Sequence, residues 1–289
     1  MKPTDSINNI EGGNNQILPN ATTAIQYFIF GDKAQKETLA KNENDSSNVE
    51  VLDMWSFSGF PPKMPPKEID RTSDITLCEK RLQSDHILCL NGEYGVGLST
   101  LLSQFARRHR TNCVSYFFND IDRIRLYANV IGASIAEQLY WYAYEKPMPS
   151  DYIKDGESSI PMLYNHVMKA MRRKHDDVMY FVFDGFDNIP SEFRDGIVRI
   201  LNLLQWESSR FIFSGSKDSI KDYFEKNRQW TLSENELTRF SEADAKEYFK
   251  TFAKNANDDD LVQLYKISQY GNAHRMDIIR SHYLEKDRL

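Results

Sequence analysis

The chain has 289 residues, 40% of them hydrophobic, enough to build one large core or two smaller ones. Its formal net charge of −6 offers no basic face for displacing counterions from a phosphate backbone, which argues against general nucleic-acid binding. No apolar run approaches the ~20 residues that cross a bilayer, and the polar N-terminus holds no apolar signal segment, so a cytoplasmic protein with no membrane contact is expected.

Residues 1–60 form the first predicted unit, a polar, largely flexible arm. MKPTDSINNIEGGNNQILPN and KNENDSSNV are rich in Asn, Gly and Ser and bury too little apolar surface to order themselves. Between them AIQYFIF, residues 24–30, is β-prone and aromatic. It reads either as a homotypic assembly strand or as an edge strand on a flexible arm. Residues 58–71, SGFPPKMPPKEIDR, carry Pro61, Pro62, Pro65 and Pro66. Prolines remove backbone donors and bias their predecessors away from helix, so this stretch reads as an extended linker with a domain boundary near residue 60.

From there helices and strands alternate. The helical stretch SDITLCEKRLQ precedes strand HILCLN, a glycine-rich loop and helix STLLSQFARRH. Strand CVSYFF follows, its apolar run suited to burial on both faces. A long helix is predicted over 121–144, and after a polar stretch the helix IPMLYNHVMKAMRRKH leads into strand VMYFVFDGFD. Helix RDGIVRILNLLQW and strand RFIFSGS continue the pattern. Strands separated by helices of this length specify βαβ crossovers, hence a three-layer α/β domain with a parallel sheet over 61–230. WTLSENEL reads as one last strand. SEADAKEYFKTFAK, DDDLVQLYKISQY and AHRMDIIRSHYLEK then read as helices without intervening strands, a small helical subdomain assigned to 231–289. Ser241 with Asp244 resembles a capping box at the start of the first of them.

Cys78, Cys89 and Cys113 show no metal-ligand spacing, and the latter two fall inside apolar strands, so buried reduced thiols are expected. The basic clusters at 107–110 and 172–175 sit at predicted helix C-termini, where cations complement the helix dipole.

The chemistry concentrates in two segments. In residues 86–100, HILCLNGEYGVGLST, an apolar run is followed by Gly92, four residues, Gly97 and then Leu98-Ser99. This is the spacing of a phosphate-binding P-loop, G-x-x-x-x-G-K-[ST], with leucine in place of lysine. Glycines in such a loop turn successive backbone N–H groups around the phosphates, and the next helix points its positive end at them. Gly92, Glu93, Tyr94, Gly95, Val96, Gly97, Leu98, Ser99 and Thr100 are therefore the candidate nucleotide-binding residues. Ser99 keeps the hydroxyl that holds Mg²⁺, whereas Leu98 cannot supply the cation that reaches the β and γ oxygens.

About ninety residues downstream, VMYFVFDGFDNIP is an apolar strand ending in an acid. Ligands of open α/β sheets bind at the carboxyl ends of strands, so Asp184 is the second Mg²⁺ candidate, opposite Ser99. Asp187 is placed to orient or deprotonate an attacking water. Acids at strand ends also serve as caps and turn formers, and the pairing with a P-loop favours the ligand role. At the end of RFIFSGS, Ser214 or Ser216 is positioned to sense a γ-phosphate, and Lys217 reads either as reaching it or as a solvated charge.

Taken together, these segments resemble a STAND-class P-loop NTPase of the NACHT and NB-ARC type. The likeness runs over about 65–283. It is carried by the degenerate Walker A GEYGVGLST, the Walker B strand with DGFDN, the sensor-like FIFSGS, the stretch LSENELTRFSEADAKEYF and the turn Gly271-Asn272-Ala273, which is similar to the family's G-x-P. The resemblance implies a nucleotide-controlled switch that binds ATP or ADP with Mg²⁺. Exchange of the nucleotide would gate self-assembly and effector signalling, as in innate immune or anti-phage defence. Four positions depart from the pattern: Leu98 for lysine, Asn188 for the second acid, Ser216 for a common arginine and Ala273 for proline. The first two remove catalytic charge and favour slow or absent turnover, at most a slow Mg-dependent ATPase. The expected partners are nucleotide and either a second copy of the chain or a separate sensor or effector protein. Family members continue into a winged helix and a repeat-built sensor, so the chain reads either as a piece of a longer protein or as a short member working with partners. The contrasting reading is a pseudo-NTPase scaffold with a vestigial pocket.

Overall fold

The computed structural model describes residues 8–9, 16–17, 68–118, 123–144, 148, 160–165, 167, 178–221, 223–224 and 230–286. The segment 24–30, the proline-containing stretch through residue 67 and the basic cluster at 172–175 lie outside the described residues. Asn8–Asn9 (β1) and Gln16–Ile17 (β2) pair antiparallel.

The remaining strands, Ile87–Gly92 (β3), Cys113–Phe117 (β4), Met179–Asp184 (β5), Ser209–Ser214 (β6) and Leu232–Leu237 (β7), form one sheet in the order β4-β5-β6-β3-β7, with every adjacent pair parallel. The helices include Thr72–Arg81 (α1), Leu98–Arg108 (α2), Ala128–Tyr144 (α3), Arg194–Leu203 (α4), Lys217–Lys221 (α5), Glu242–Lys250 (α6), Asp258–Ile267 (α7) and Ala273–Lys286 (α8). The α/β alternation read from the sequence is borne out, with one local difference. Within the predicted helix over 121–144, Arg123–Leu126 form a 3₁₀ turn and the α-helix runs from Ala128.

Alternation along each strand produces the three layers. Ile87, Cys89, Phe181, Phe183, Phe211 and Phe213 point to one face and pack with residues of α3 and α4. Leu88, Leu90, Val182 and Ile212 point to the other and pack with Ile75, Cys78, Leu101, Leu102 and Phe105 of α1 and α2. The parallel register sets Phe181 beside Phe211 and Phe183 beside Phe213, and their rings stack at 5.2 and 5.3 Å. Such aromatic pairs add about 0.5–1.5 kcal/mol each beyond the area they bury.

β4 lies at the sheet's edge, where unpaired backbone groups invite association. Here α3 covers them. Gln138 Oε1 accepts from Ser115 N–H and its Nε2 donates to Ser115 O, both at 2.9 Å, so a side-chain amide takes the place of a neighbouring strand. The Tyr142 hydroxyl accepts from Cys113 N–H and donates to Cys113 O. Gln138→Leu is expected to leave both buried Ser115 groups unpaired and to cost about 2–3 kcal/mol, read as a lowered urea midpoint with unchanged slope.

After β7 the chain builds a third core from Phe240, Tyr248, Phe249, Leu261, Leu264 and Met276. Ser241 accepts from Asp244 N–H at 3.2 Å and donates to its carboxylate at 2.6 Å. The full reciprocal box forms instead at α7, between Asn257 and Asp260. All three cysteines are free and buried. Burial pushes the Cys78 and Cys89 thiols up to about 12 and raises that of Cys113 as well. No described helix is long and apolar enough to cross a membrane.

Candidate functional site

β3 ends at Gly92 and α2 begins at Leu98, so the chain must turn within the intervening residues. Gly95 and Gly97 make this turn with φ of +78° and +101°, a region that side chains disfavour. Three consecutive carbonyls of the turn are then held from outside. Tyr94 O accepts from Asn272 Nδ2 at 2.8 Å, Gly95 O from His274 N–H at 2.9 Å and Val96 O from Arg71 Nη2 at 2.7 Å. The first two donors belong to the start of α8. Asn272 also caps that helix, its Oδ1 accepting from Arg275 N–H at 3.2 Å. Glu93 completes the attachment by pairing with Arg239, whose Nη1 donates to Gln269 O at 2.6 Å. Glu93, Tyr94 and Gly95 are thus tied to the chain after β7, and Val96 to Arg71 before α1.

Nothing in the sequence singles out Arg71, which closes the proline-containing linker. It is buried, and its guanidinium lies 3.7 Å from the centre of the Phe240 ring. Besides Val96 O, it bonds Thr238 O at 3.2 Å and Asp74 at 3.1 Å. Burial pushes its pKa down, opposed by Asp74. One cation therefore joins the segment before α1, the loop and the connection between β7 and α6.

The acid of β5 sits on the other side of β6. Asp184 is buried at the strand's end, and the Ser214 hydroxyl donates to its Oδ1 at 2.5 Å while accepting from Gly185 N–H at 2.6 Å. Ser214 has one proton and gives it to Asp184, so its direct effect is to orient that carboxylate. Asp187 is exposed, and its two oxygens accept from Ser216 N–H at 3.3 and 3.2 Å. The Ser216 hydroxyl pairs with Ser219 at the start of α5.

A cavity of about 820 Å³ opens where these elements meet. Residues 92–100, Asp184, Asp187 and Ser214 all line it, together with Arg71, Asn188, Phe240, Tyr248, Ala273, His274, Asp277 and Ser281. Lys217 is not brought there: it begins α5 exposed to solvent, and its N–H donates to Glu234 of β7 at 3.1 Å. Leu98 lines the cavity and is half-buried against the apolar layer beneath α2. At the lysine position, then, the cavity has an aliphatic wall.

Among the described residues no three His, Cys, Asp or Glu side chains gather as a metal centre. Ser99 and Asp184 are nevertheless a fitting donor set for Mg²⁺, which is ordinarily held by one or two protein oxygens with phosphate and water completing the shell.

Residues 71–215, half of the chain, match the family model described as nephrocystin 3, N-terminal. The chain belongs to this family. The match begins at Arg71 and ends one residue past Ser214, so in the nephrocystin 3 N-terminal family the matched region spans both the loop and the acid-bearing strand. Among solved structures, a Walker-type ATPase of Pyrococcus abyssi superposes with a TM-score of 0.59 at 12% identity, over 80% of this chain and 72% of that one. The ORC1 protein of Aeropyrum pernix, solved in complex with DNA, gives 0.49 at 15% identity over 82% of this chain and 65% of its own. A signal transduction ATPase with numerous domains (STAND), carrying a tetratricopeptide repeat sensor, from Pyrococcus horikoshii gives 0.39 at 14% over 74% and 29%. No curated protein matches significantly. Family membership and the Walker-type ATPase fold bear out the reading of a STAND-like P-loop NTPase built on a parallel sheet.

Proposed function

We propose that the chain is a nucleotide-binding switch module that takes ATP or ADP with Mg²⁺, hydrolyses it slowly or not at all, and uses the bound state to gate self-association and effector signalling. The observation that carries this reading is the tie between the loop and the helical subdomain, through Asn272, His274 and Arg239, with the loop and His274 lining the cavity that Asp184 also lines. A ligand entering that cavity meets both bodies at once, so its binding energy acts on their relative position.

In such a site the loop amides would cradle the phosphates, Ser99 and Asp184 would hold Mg²⁺, and Asp187 would stand near an attacking water. The metal neutralises phosphate charge when bound. Leu98 supplies none, which is the physical reason for slow turnover. A defence role rests on family resemblance alone. The buried thiols accord with a reducing cytoplasmic setting.

Melting with and without nucleotide tests the reading. At a concentration 100 times its Kd a ligand stabilises by about 2.7 kcal/mol, and Mg·ATP or Mg·ADP is expected to raise the melting temperature accordingly. Ser99→Ala, or Asp184→Asn, which keeps an acceptor for Ser214, is expected to abolish the increase. Leu98→Lys is expected to strengthen binding more than about tenfold, worth 1.4 kcal/mol. The packing of Leu98 against the apolar layer favours a second reading, a nucleotide-independent scaffold. Absence of any purine-nucleotide shift, with molecular size unchanged by ATP, would establish the scaffold in place of the switch.

A further inference from the structure

The cavity is longer than its phosphate-binding end. α8 starts on the loop, where His274 N–H meets Gly95 O, and then runs away from it at about 1.5 Å per residue. Asp277 is thus about 4.5 Å further along the helix axis, with Ser281 another turn beyond, and both line the cavity. The neighbouring wall is apolar and aromatic, formed by Ile69, Phe240 and Tyr248. Within it Asp277 is an anomaly. Its Oδ1 is sealed from solvent and has no hydrogen-bond partner among the described residues. The Ser281 hydroxyl bonds the Asp277 backbone carbonyl, at 3.0 Å. Asp277 and Arg280 act on the Tyr248 hydroxyl in opposite senses, yet no salt bridge to Asp277 forms among the described residues.

A carboxylate with an unused acceptor in an apolar wall is costly, and a ligand donor in the cavity toward which the carboxylate turns satisfies it and regains that cost on binding. A side chain rejecting ligands that lack such a donor is a strong source of selectivity. Resting on the nucleotide-switch reading above, we propose that Asp277 is the specificity-determining residue at the nucleoside end of the site, accepting a hydrogen bond from an N–H or O–H of the bound nucleotide. Two groups carry this chemistry: a ribose hydroxyl and the exocyclic amine of the base. Acids take ribose hydroxyls in dinucleotide-binding folds, and they accept from base amines as well.

The experiment is a set of affinities for Mg²⁺ complexes of ADP, 2′-deoxy-ADP, 3′-deoxy-ADP and inosine diphosphate, measured on the intact chain and on Asp277→Ala. The intact chain is expected to bind ADP at least tenfold more tightly than the analogue lacking the contacted donor. Asp277→Ala is expected to lose that discrimination, weakening ADP while leaving that analogue unchanged. Loss confined to the deoxy compounds identifies the ribose, and loss confined to inosine diphosphate identifies the amine. The melting temperature of ligand-free Asp277→Ala is expected to equal or exceed that of the intact chain, since an unpaired acceptor has been removed; a structural role would lower it. Undiminished discrimination in Asp277→Ala, or none in the intact chain, overturns the assignment. If the intact chain binds none of the four, the switch reading itself has failed.

Discussion

Raising the pH from 4.5 to about 8 is expected to remove on the order of 5 kcal/mol of folding stability through one side chain, Glu137, and Glu137→Gln is expected to abolish that loss. Glu137 lies on α3 within 130–140, where every residue is buried. Burial alone raises its pKa from 4.5 to about 8, and its Oε1 has no hydrogen-bond partner. The carboxyl is therefore neutral in the folded protein at pH 7 but ionised in the unfolded chain. Between 4.5 and about 8 the folded state holds the extra proton, so stability is complete below that window, falls as pH rises through it and levels off above it. At 1.36 kcal/mol per pH unit, that interval gives the figure above, a large share of the 5–15 kcal/mol typical of whole domains. Chemical denaturation at half-unit steps from pH 5 to 8.5 measures the slope. Glutamine is neutral throughout, so the stability of the wild type minus that of the variant should fall steeply with pH. Parallel curves for the two proteins would show that Glu137 ionises freely in the folded state.

How far the sequence carries a reader depends on the range of the interaction being read. The loop, the acid-bearing strand and the α/β order are local patterns: glycines at fixed spacing, apolar runs of strand length and helical periodicity. They place 92–100, Asp184 and Asp187 at one cavity without any knowledge of topology. Arg71 is different. Its partners are Val96, 25 residues away, and Thr238, 167 away, and nothing within its own proline-containing segment signals them. The same holds for Asn272, whose side-chain amide reaches back 178 residues to Tyr94, and for Gln138, which completes an edge strand from a different element. Lys217 shows the reverse case. Proximity to the end of β6 suggested a cation for the phosphates, but the start of α5 leaves it exposed outside the cavity. Ser214, three residues earlier, faces inward and is committed to Asp184.

Gly271→Ala is expected to cost at least about 3 kcal/mol and to release the P-loop from the helical subdomain. The turn between α7 and α8 contains three successive residues with positive φ: Gln269 at 55°, Tyr270 at 60° and Gly271 at 87°. The first two hold a conformation that costs side-chain-bearing residues roughly 1–2 kcal/mol each. They are retained because Tyr270 N–H reaches Tyr265 O at 3.0 Å and Arg239 takes Gln269 O. At Gly271 the constraint is steric as well. A Cβ there would lie 2.1 Å from Phe240 O, and the two residues cannot simply separate, because Phe240 N–H donates to Gly271 O at 3.0 Å. Relief must break that bond and shift the start of α8, which carries Asn272 and His274 to the loop. The backbone penalty and the clash together supply the expected cost. Urea unfolding gives the stability, and hydrogen exchange gives the release: the His274 amide, bonded to Gly95 O in the native protein, should exchange faster in the variant by more than global destabilisation requires. Gln269→Gly, which relaxes the same turn without a clash, is the control and is expected to change stability by less than about 1 kcal/mol. If Gly271→Ala melts within that same margin of the wild type, the turn is not what holds α8 against the loop.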